Sequence, residues 1–129
     1  MKRPPIKIAH IADTHIKNLK YHDDYRACFE QMYQSLREQD VDYIVHCGDI
    51  AHTKTQISPE FVEMASNFFS SLADIATTFI ILGNHDGNLK NSSRQDAITP
   101  IIQALGREDL VLLKNAGEFE VHTGLTFNV

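Results

Sequence analysis

Apolar and polar positions along the first half of the chain separate strands from helices. IKIAHIA, residues 6–12, is a short and nearly continuous apolar run, and it predicts a buried strand. The polar stretch DTHIKNLKYH follows. Asp23 and Asp24 suit a helix N-terminus. Tyr25, Cys28, Phe29, Met32 and Leu36 then recur at spacings of three and four, which gives a helix one apolar face ending near Asp40. VDYIVHC, 41–47, predicts a second strand. Ser58-Pro59-Glu60 opens a second helix, with Ser58 as N-cap and proline at the first helical position. Its inner face is Phe61, Met64, Ala65, Phe68 and Leu72. TTFIIL, 77–82, predicts a third strand. DAITPIIQALG predicts a short third helix, with Pro100 near its first turn and Gly106 after its end. LVLL, EFEVHT and LTFNV predict three more short strands, the last two joined by a tight turn at Thr123-Gly124.

Strands alternating with helices imply an α/β fold: a parallel-sheet βαβαβα core with right-handed crossovers, followed by trailing short strands that form an added or antiparallel part. A chain of 129 residues, 43% hydrophobic, suits one domain, 1–129, able to bury a core without disulfides. Cys28 and Cys47, both in apolar settings, read as reduced core thiols. The basic N-terminus lacks the apolar core and cleavage site of a secretory signal, and no apolar run approaches a membrane span. A cytoplasmic protein, not a secreted one, is expected. Val129 falls within a predicted strand, so the domain is expected to be incomplete at its C-terminal end.

Each of the three predicted parallel strands runs into a polar loop. Asp13-Thr14-His15 follows the first, Gly48-Asp49 the second, and Gly83-Asn84-His85-Asp86 the third. In an open α/β sheet these carboxyl ends share one crevice, so residues about 70 apart in sequence can meet there. Asp13 and His15, two apart, point the same way if extended. Asp49 adds a carboxylate and Asn84 an amide oxygen. Hard oxygens with imidazole suit Mn²⁺, Fe²⁺ or Zn²⁺, and Asp49, on the central loop, is placed to bridge two ions. His85 follows Asn84 directly and is expected on the substrate side, either protonating a leaving oxygen or stabilising transition-state charge. Asp86 is expected to hold its other ring nitrogen. His10 and His46 alternate with apolar residues inside strands and read as satisfied core or sheet positions. His22 and His122 read as ordinary surface and strand residues.

D-x-H, then G-D, then G-N-H-D, in this order and each after a strand, resembles the calcineurin-like metallophosphoesterases. The flanks IAHIADTHI, GDIAHTKTQISPE and GNHDGNLKNSSRQDAITPI are similar to the SbcD-type (Mre-type) nuclease subunit of double-strand-break repair and to phage recombination nucleases. Protein Ser/Thr phosphatases usually carry glycine after D-x-H, where this chain has Ile16.

The resemblance implies the N-terminal half of a four-layer β-sandwich flanked by helices. It implies two divalent ions, Mn²⁺ before Fe²⁺ or Zn²⁺, with Asp13, His15 and Asp49 at one and Asp49 and Asn84 at the other. It makes His85 the catalytic histidine and puts His52 near the DNA end. It also implies an SMC-like (SbcC-type) ATPase partner, a homodimer contact through helices in this region, for which an exposed Phe69 would be suitable, and a cytoplasmic, nuclear or phage-infected-cell setting. Full-length members carry a further metal-ligand histidine and a later G-H-x-H, and this sequence contains neither motif. The chain alone is therefore expected to be nearly inert.

The net charge of −5 argues mildly against nucleic acid as a partner. Placement argues the other way: Lys17, Lys20, Lys54, Lys90 and Arg94, five of the 12 basic residues, lie in or just after the three loops, where a phosphodiester backbone would run. Three functions compete. They are a metal-dependent DNA nuclease, a phosphoesterase acting on nucleotides, cyclic nucleotides or phosphoproteins, and a non-catalytic remnant that binds a partner.

Overall fold

The structure is a computed structural model, and it describes residues 5–53, 57–83, 86 and 95–129. The elements run β1 (Ile8–Ile11), α1 (His22–Glu38), β2 (Tyr43–His46), α2 (Pro59–Ile75), β3 (Thr77–Ile80), α3 (Thr99–Leu105), β4 (Leu110–Leu112), β5 (Glu118–His122) and β6 (Leu125–Asn128). Strands β1 to β4 form one parallel sheet in that order, and β5 and β6 form a separate antiparallel hairpin. The trailing strands thus divide. α3 is a crossover of the same kind as α1 and α2, so β4 extends the parallel sheet, and only the hairpin is added to it.

Consecutive strand order with right-handed crossovers puts all the helices on one face of a sheet. The core agrees. Ala9 and Ile11 of β1, Ile44 of β2, Ile80 of β3 and Leu110 and Leu112 of β4 cluster with Phe29 and Leu36 of α1, with Phe61, Phe68 and Leu72 of α2, and with Ile101 and Ile102 of α3. The opposite sheet face, with Ile8, His10, Val45, Cys47, Phe79 and Ile81, is met by the hairpin. Phe127 packs edge-on against Phe79 at 5.2 Å, and a mostly apolar cleft of about 460 Å³ remains between hairpin and sheet.

The inner face predicted for α2 is buried throughout. Phe69, off that stripe, is buried as well, so it is not the exposed residue that a homodimer contact would use. α2 is the middle helix, touching both α1 and α3, and therefore needs apolar residues on two sides. On α1 the buried positions are Phe29, Tyr33 and Leu36, with Tyr25 and Met32 half-buried, whereas Cys28 is exposed, not a core thiol. His10 is exposed too: its Nε2 meets Cys47 Sγ at 2.7 Å on the hairpin side of the sheet.

The caps follow the sequence. Ser58 Oγ accepts from the Phe61 N–H at 3.0 Å and donates to the Asn18 carbonyl at 3.0 Å, so one hydroxyl starts α2 and ties it to the loop after β1. At α3 it is Asp96, buried, that accepts from the Ile98 and Thr99 N–H groups and the Thr99 hydroxyl, and from the Lys114 ammonium. Gly106 ends α3 in the left-handed region, with φ of 59°. Ser58→Ala should cost about 1–2 kcal/mol, since it removes a cap and leaves the Asn18 carbonyl short of a donor. Ser58→Asp, which keeps the acceptor, should recover part of that. Urea unfolding of the two variants checks it; equal losses would mean that the cap contributes nothing.

Candidate metal centre

β1 and β2 pair in parallel as far as Ile11 and His46, which are 35 residues apart. Beyond them the two backbones stay side by side. The Asp13 N–H donates to the Gly48 carbonyl at 3.0 Å, His15 N–H to Asp49 at 3.0 Å and Ile16 N–H to Ile50 at 2.7 Å. Ile16 and Ala51, again 35 apart, then form an isolated parallel bridge. The register is thus the same on both sides of the break. Within the break Asp13, His15 and Asp49 all adopt left-handed backbone, with φ of 56°, 45° and 53°. Left-handed backbone costs a residue with a Cβ roughly 1 kcal/mol or more, and persists only where the surroundings over-determine it. Here the flanking ladder does so, and the kinks bring three candidate metal ligands towards one point.

Ligand atoms of Asp13, His15 and Asp49 lie within 4.8 Å of one another. His15 Nε2 is 3.7 Å from Asp13 Oδ1 and 3.9 Å from Asp49 Oδ2. Side-chain exposure falls from 69% at Asp13 to 33% at His15 and 16% at Asp49. Two carboxylates and an imidazole at this spacing are a fit donor set for a divalent cation of the Mn²⁺, Fe²⁺ or Zn²⁺ type. The strand order puts β2 between β1 and β3, so Asp49 is on the central of the three loops.

The end of β3 supports the cluster from below. The buried Asp86 carboxylate accepts three backbone N–H groups: Ile50 at 3.2 Å, Ala51 at 2.8 Å and Gly83 at 3.0 Å. Burial pushes its carboxyl above the usual range and the nearby Asp49 adds to that, while the three amides pull the other way. This tie between the loops after β2 and β3 was not visible in the sequence, where Asp86 was assigned only to His85. Gly83 lies against Asp49: a Cβ there would run into Asp49 Oδ1 and the Asp49 nitrogen. Gly48, with φ of 96°, faces Gly83 so closely that a Cβ on it would stand 2.7 Å from the Gly83 Cα.

His46 closes β2 fully buried, edge-on to Phe68 at 5.9 Å. Burial pulls its imidazole down from 6.5 to about 4, although Asp13 and Asp49 pull it up. The sequence expectation of a satisfied core histidine holds. His52, exposed, stands with its ring 5.9 Å from that of His15. A cleft of about 310 Å³ beside it is lined by Lys17, Asn18, Leu19, Lys20, His52 and Thr53. Lys17 Nζ lies 5.1 Å from the centre of the Tyr21 ring. Asn84, His85, Lys54, Lys90 and Arg94 lie outside the described residues. His122 sits on β5 beside Lys7, Asp40 and Tyr43, around a cavity lined by none of the candidate ligands.

Fold and site together define an α/β protein that gathers side chains able to hold a metal at the carboxyl ends of its strands. The chain belongs to the calcineurin-like phosphoesterase family, whose model matches residues 6–128. The uncharacterized protein R555 of Acanthamoeba polyphaga mimivirus is 41% identical to it over 119 residues, covering 89% of this chain and 9% of the relative. The DNA double-strand break repair protein Mre11 of Methanosarcina acetivorans is 32% identical over 87 residues, covering 63% of this chain and 14% of the relative. The chain therefore spans a small fraction of either relative's length. In structure it is similar to the nuclease MPE of Pseudomonas putida, with a TM-score of 0.54 at 20% identity, covering 88% of this chain and 50% of that one. The last likeness is one of fold. The family uses divalent metals, in keeping with the donor set. Among the described residues no helix is long and apolar enough to cross a membrane.

Two measurements follow from this geometry. Gly83→Ala must displace Asp49, and Mn²⁺ affinity should fall roughly 10-fold or more, the scale on which disturbed support of a ligand is felt. An unchanged affinity in calorimetry would mean that Asp49 does not hold the ion. The second concerns His46. The unfolded chain protonates this histidine near pH 6.5 and the folded chain only near 4, so its stabilising contribution is complete above pH 6.5 and is lost as pH falls towards 4. The full loss is roughly 3 kcal/mol. Urea unfolding at pH 7.5 and pH 4.5 should show a smaller fall for His46→Gln than for the parent; equal falls would contradict the buried neutral imidazole.

Proposed function

We infer that this chain contributes to metal-dependent hydrolysis of DNA phosphodiesters, as part of an exo- or endonuclease of the repair or recombination kind. The observation that carries the reading is the convergence of Asp13, His15 and Asp49 ligand atoms within 4.8 Å, at the carboxyl ends of β1 and β2. Relatives named for DNA double-strand break repair support the substrate class.

In this reading Asp13, His15 and Asp49 hold one ion, and Asp49 and Asn84 a second. Asp49 bridges the two, in keeping with its central loop and its low exposure. Bound divalent ions would polarise the phosphate and lower the pKa of a water that attacks phosphorus. The remaining work falls to the chain. His85 faces the substrate and gives a proton to the leaving oxygen, with Asp86 beside it. Lys17 and Lys20, on the cleft next to His52, hold the phosphate backbone by charge, as do Lys54, Lys90 and Arg94. His52 stands at the strand end of that path. An SMC-like ATPase partner and a homodimer belong to the same reading. So does a domain that takes further ligands from beyond residues 1–129, because three carboxylate and imidazole donors and one amide are few for two ions.

Mn²⁺ titration and cleavage of linear duplex DNA test this together. Asp49→Ala should weaken Mn²⁺ binding more than Asp13→Ala or Asn84→Ala. In a longer chain carrying a G-H-x-H, His85→Ala should keep the metals and lose roughly 10²–10⁴ in turnover. Residues 1–129 alone should bind Mn²⁺ weakly and cleave slowly. Turnover on small phosphodiesters with none on DNA would favour a nucleotide phosphoesterase, and Mn²⁺ binding indifferent to Asp49→Ala would sink the metal assignment.

A further inference from the structure

His46 and Thr14 make a directed hydrogen-bond chain between the two loops that carry the candidate ligands. The Gly48 N–H donates to His46 Nδ1 at 3.1 Å. A backbone amide can only donate, so Nδ1 must be the acceptor and the neutral ring carries its hydrogen on Nε2. Nε2 faces Thr14 Oγ1 at 3.3 Å, and therefore donates to it. The Thr14 hydroxyl is left to donate onward to the Ile50 carbonyl at 3.2 Å. Every hydrogen in the chain is accounted for, and its direction is not reversible.

Position gives this chain its consequence. Thr14 lies between Asp13 and His15, both left-handed. Gly48 and Ile50 flank Asp49, left-handed as well. One imidazole thus holds the middle of one ligand loop and the base of the other. It does so inside the break, where the ladder skips Thr14: Asp13, His15 and Ile16 donate across, and Thr14 reaches the second loop through its side chain. His46 is fully buried, lies edge-on to Phe68 at 5.9 Å and is hydrogen-bonded at both ring nitrogens, so the ring acts as a spacer between the loops.

We propose that His46, acting through Thr14, is a positioning residue that sets the distance between the Asp13–His15 pair and Asp49, and so the metal affinity of the site. This rests on reading Asp13, His15 and Asp49 as metal ligands, and the test separates the two. Mn²⁺ binding to the 129-residue chain is followed by the electron paramagnetic resonance of the free ion, with unfolding of the metal-free variants in parallel. Thr14→Val removes both bonds of the hydroxyl and should weaken Mn²⁺ binding roughly 3- to 10-fold, the worth of a hydrogen bond, while Thr14→Ser should bind as the parent does.

The two amide replacements of His46 divide its bonds. His46→Gln places an N–H near the Nε2 position and keeps the link to Thr14. His46→Asn places an oxygen near Nδ1, keeps Gly48 and falls short of Thr14. Each breaks one end of the spacer, so both should weaken Mn²⁺ binding as Thr14→Val does, and the Thr14→Val, His46→Asn double variant should be no worse than the more damaging single one. If Thr14→Val does not fold, the glutamine and asparagine variants carry the test. Parent-like Mn²⁺ affinity in both of these, or additive losses in the double variant, overturns the positioning role. Binding that ignores Asp49→Asn overturns the metal reading and this role with it. Binding lost in Asp49→Asn but kept in Thr14→Val and His46→Asn overturns the positioning role alone.

Discussion

The backbone bonds that cross between the segments leaving β1 and β2 are the constraint on which the rest of the site depends. Parallel pairing ordinarily aims successive side chains to alternate faces, and it would send Asp13 and His15 to one face with Thr14 opposite. The break changes that. The bonds from Asp13, His15 and Ile16 to Gly48, Asp49 and Ile50 keep the backbones together while three residues turn left-handed. Because the 35-residue offset is the same at Ile11–His46 and Ile16–Ala51, no slack accumulates, and the strained residues cannot relax by slipping register. Glycine completes the arrangement. Gly48 and Gly83 let the ends of β2 and β3 approach closer than any side chain would permit, and the Asp86 carboxylate fills the space with three amide bonds. The strain at the candidate ligands is thus held by backbone that has few alternatives.

Much of this was legible beforehand because it rests on local rules. Strands appeared as β-branched runs, Ser58-Pro59 marked the start of α2, and Gly106 marked the end of α3. The three polar loops after strands pointed to one crevice, since parallel order alone brings carboxyl ends together, and Asp13, His15 and Asp49 do meet. What the sequence hid depends on neighbours that no period reveals. Phe69 looked like a residue off the buried stripe, but a helix flanked on two sides has two stripes. Cys28 and His10 fell on apolar-looking positions and are exposed, because α1 is buried along a narrower line and the hairpin leaves part of its sheet face open. Asp86 looked like a partner for the adjacent imidazole. That imidazole lies outside the described residues, and two of the three bonds Asp86 accepts come from another loop; only a folded chain places Ile50 and Ala51 within reach.

The left-handed backbone was the least accessible feature. Extended geometry two residues apart suggested that Asp13 and His15 point together, and they do come close, at 3.7 Å, but by another route. Asp and His tolerate the left-handed region better than most residues, but three of them there within one short break need enforcement. Nothing in D-T-H announces that enforcement, because it comes from amide and carbonyl groups that every residue shares.

The same backbone argument gives the three donors unequal standing. Asp49 is fastened on every side: its carbonyl accepts from His15, its flanking amides are held by His46 and Asp86, and its side chain lies on Gly83. Asp13 is the opposite case, with a side chain 69% exposed on the first turn of an open loop. In the proposed two-ion reading, a carboxylate that serves both cations needs a fixed position, because any displacement is felt twice. One that serves a single cation can adjust. The molecule places its rigidity on β2, the strand with a neighbour on each side, and its freedom on β1, the edge. Sheet order therefore decides which carboxylate can act as the anchor.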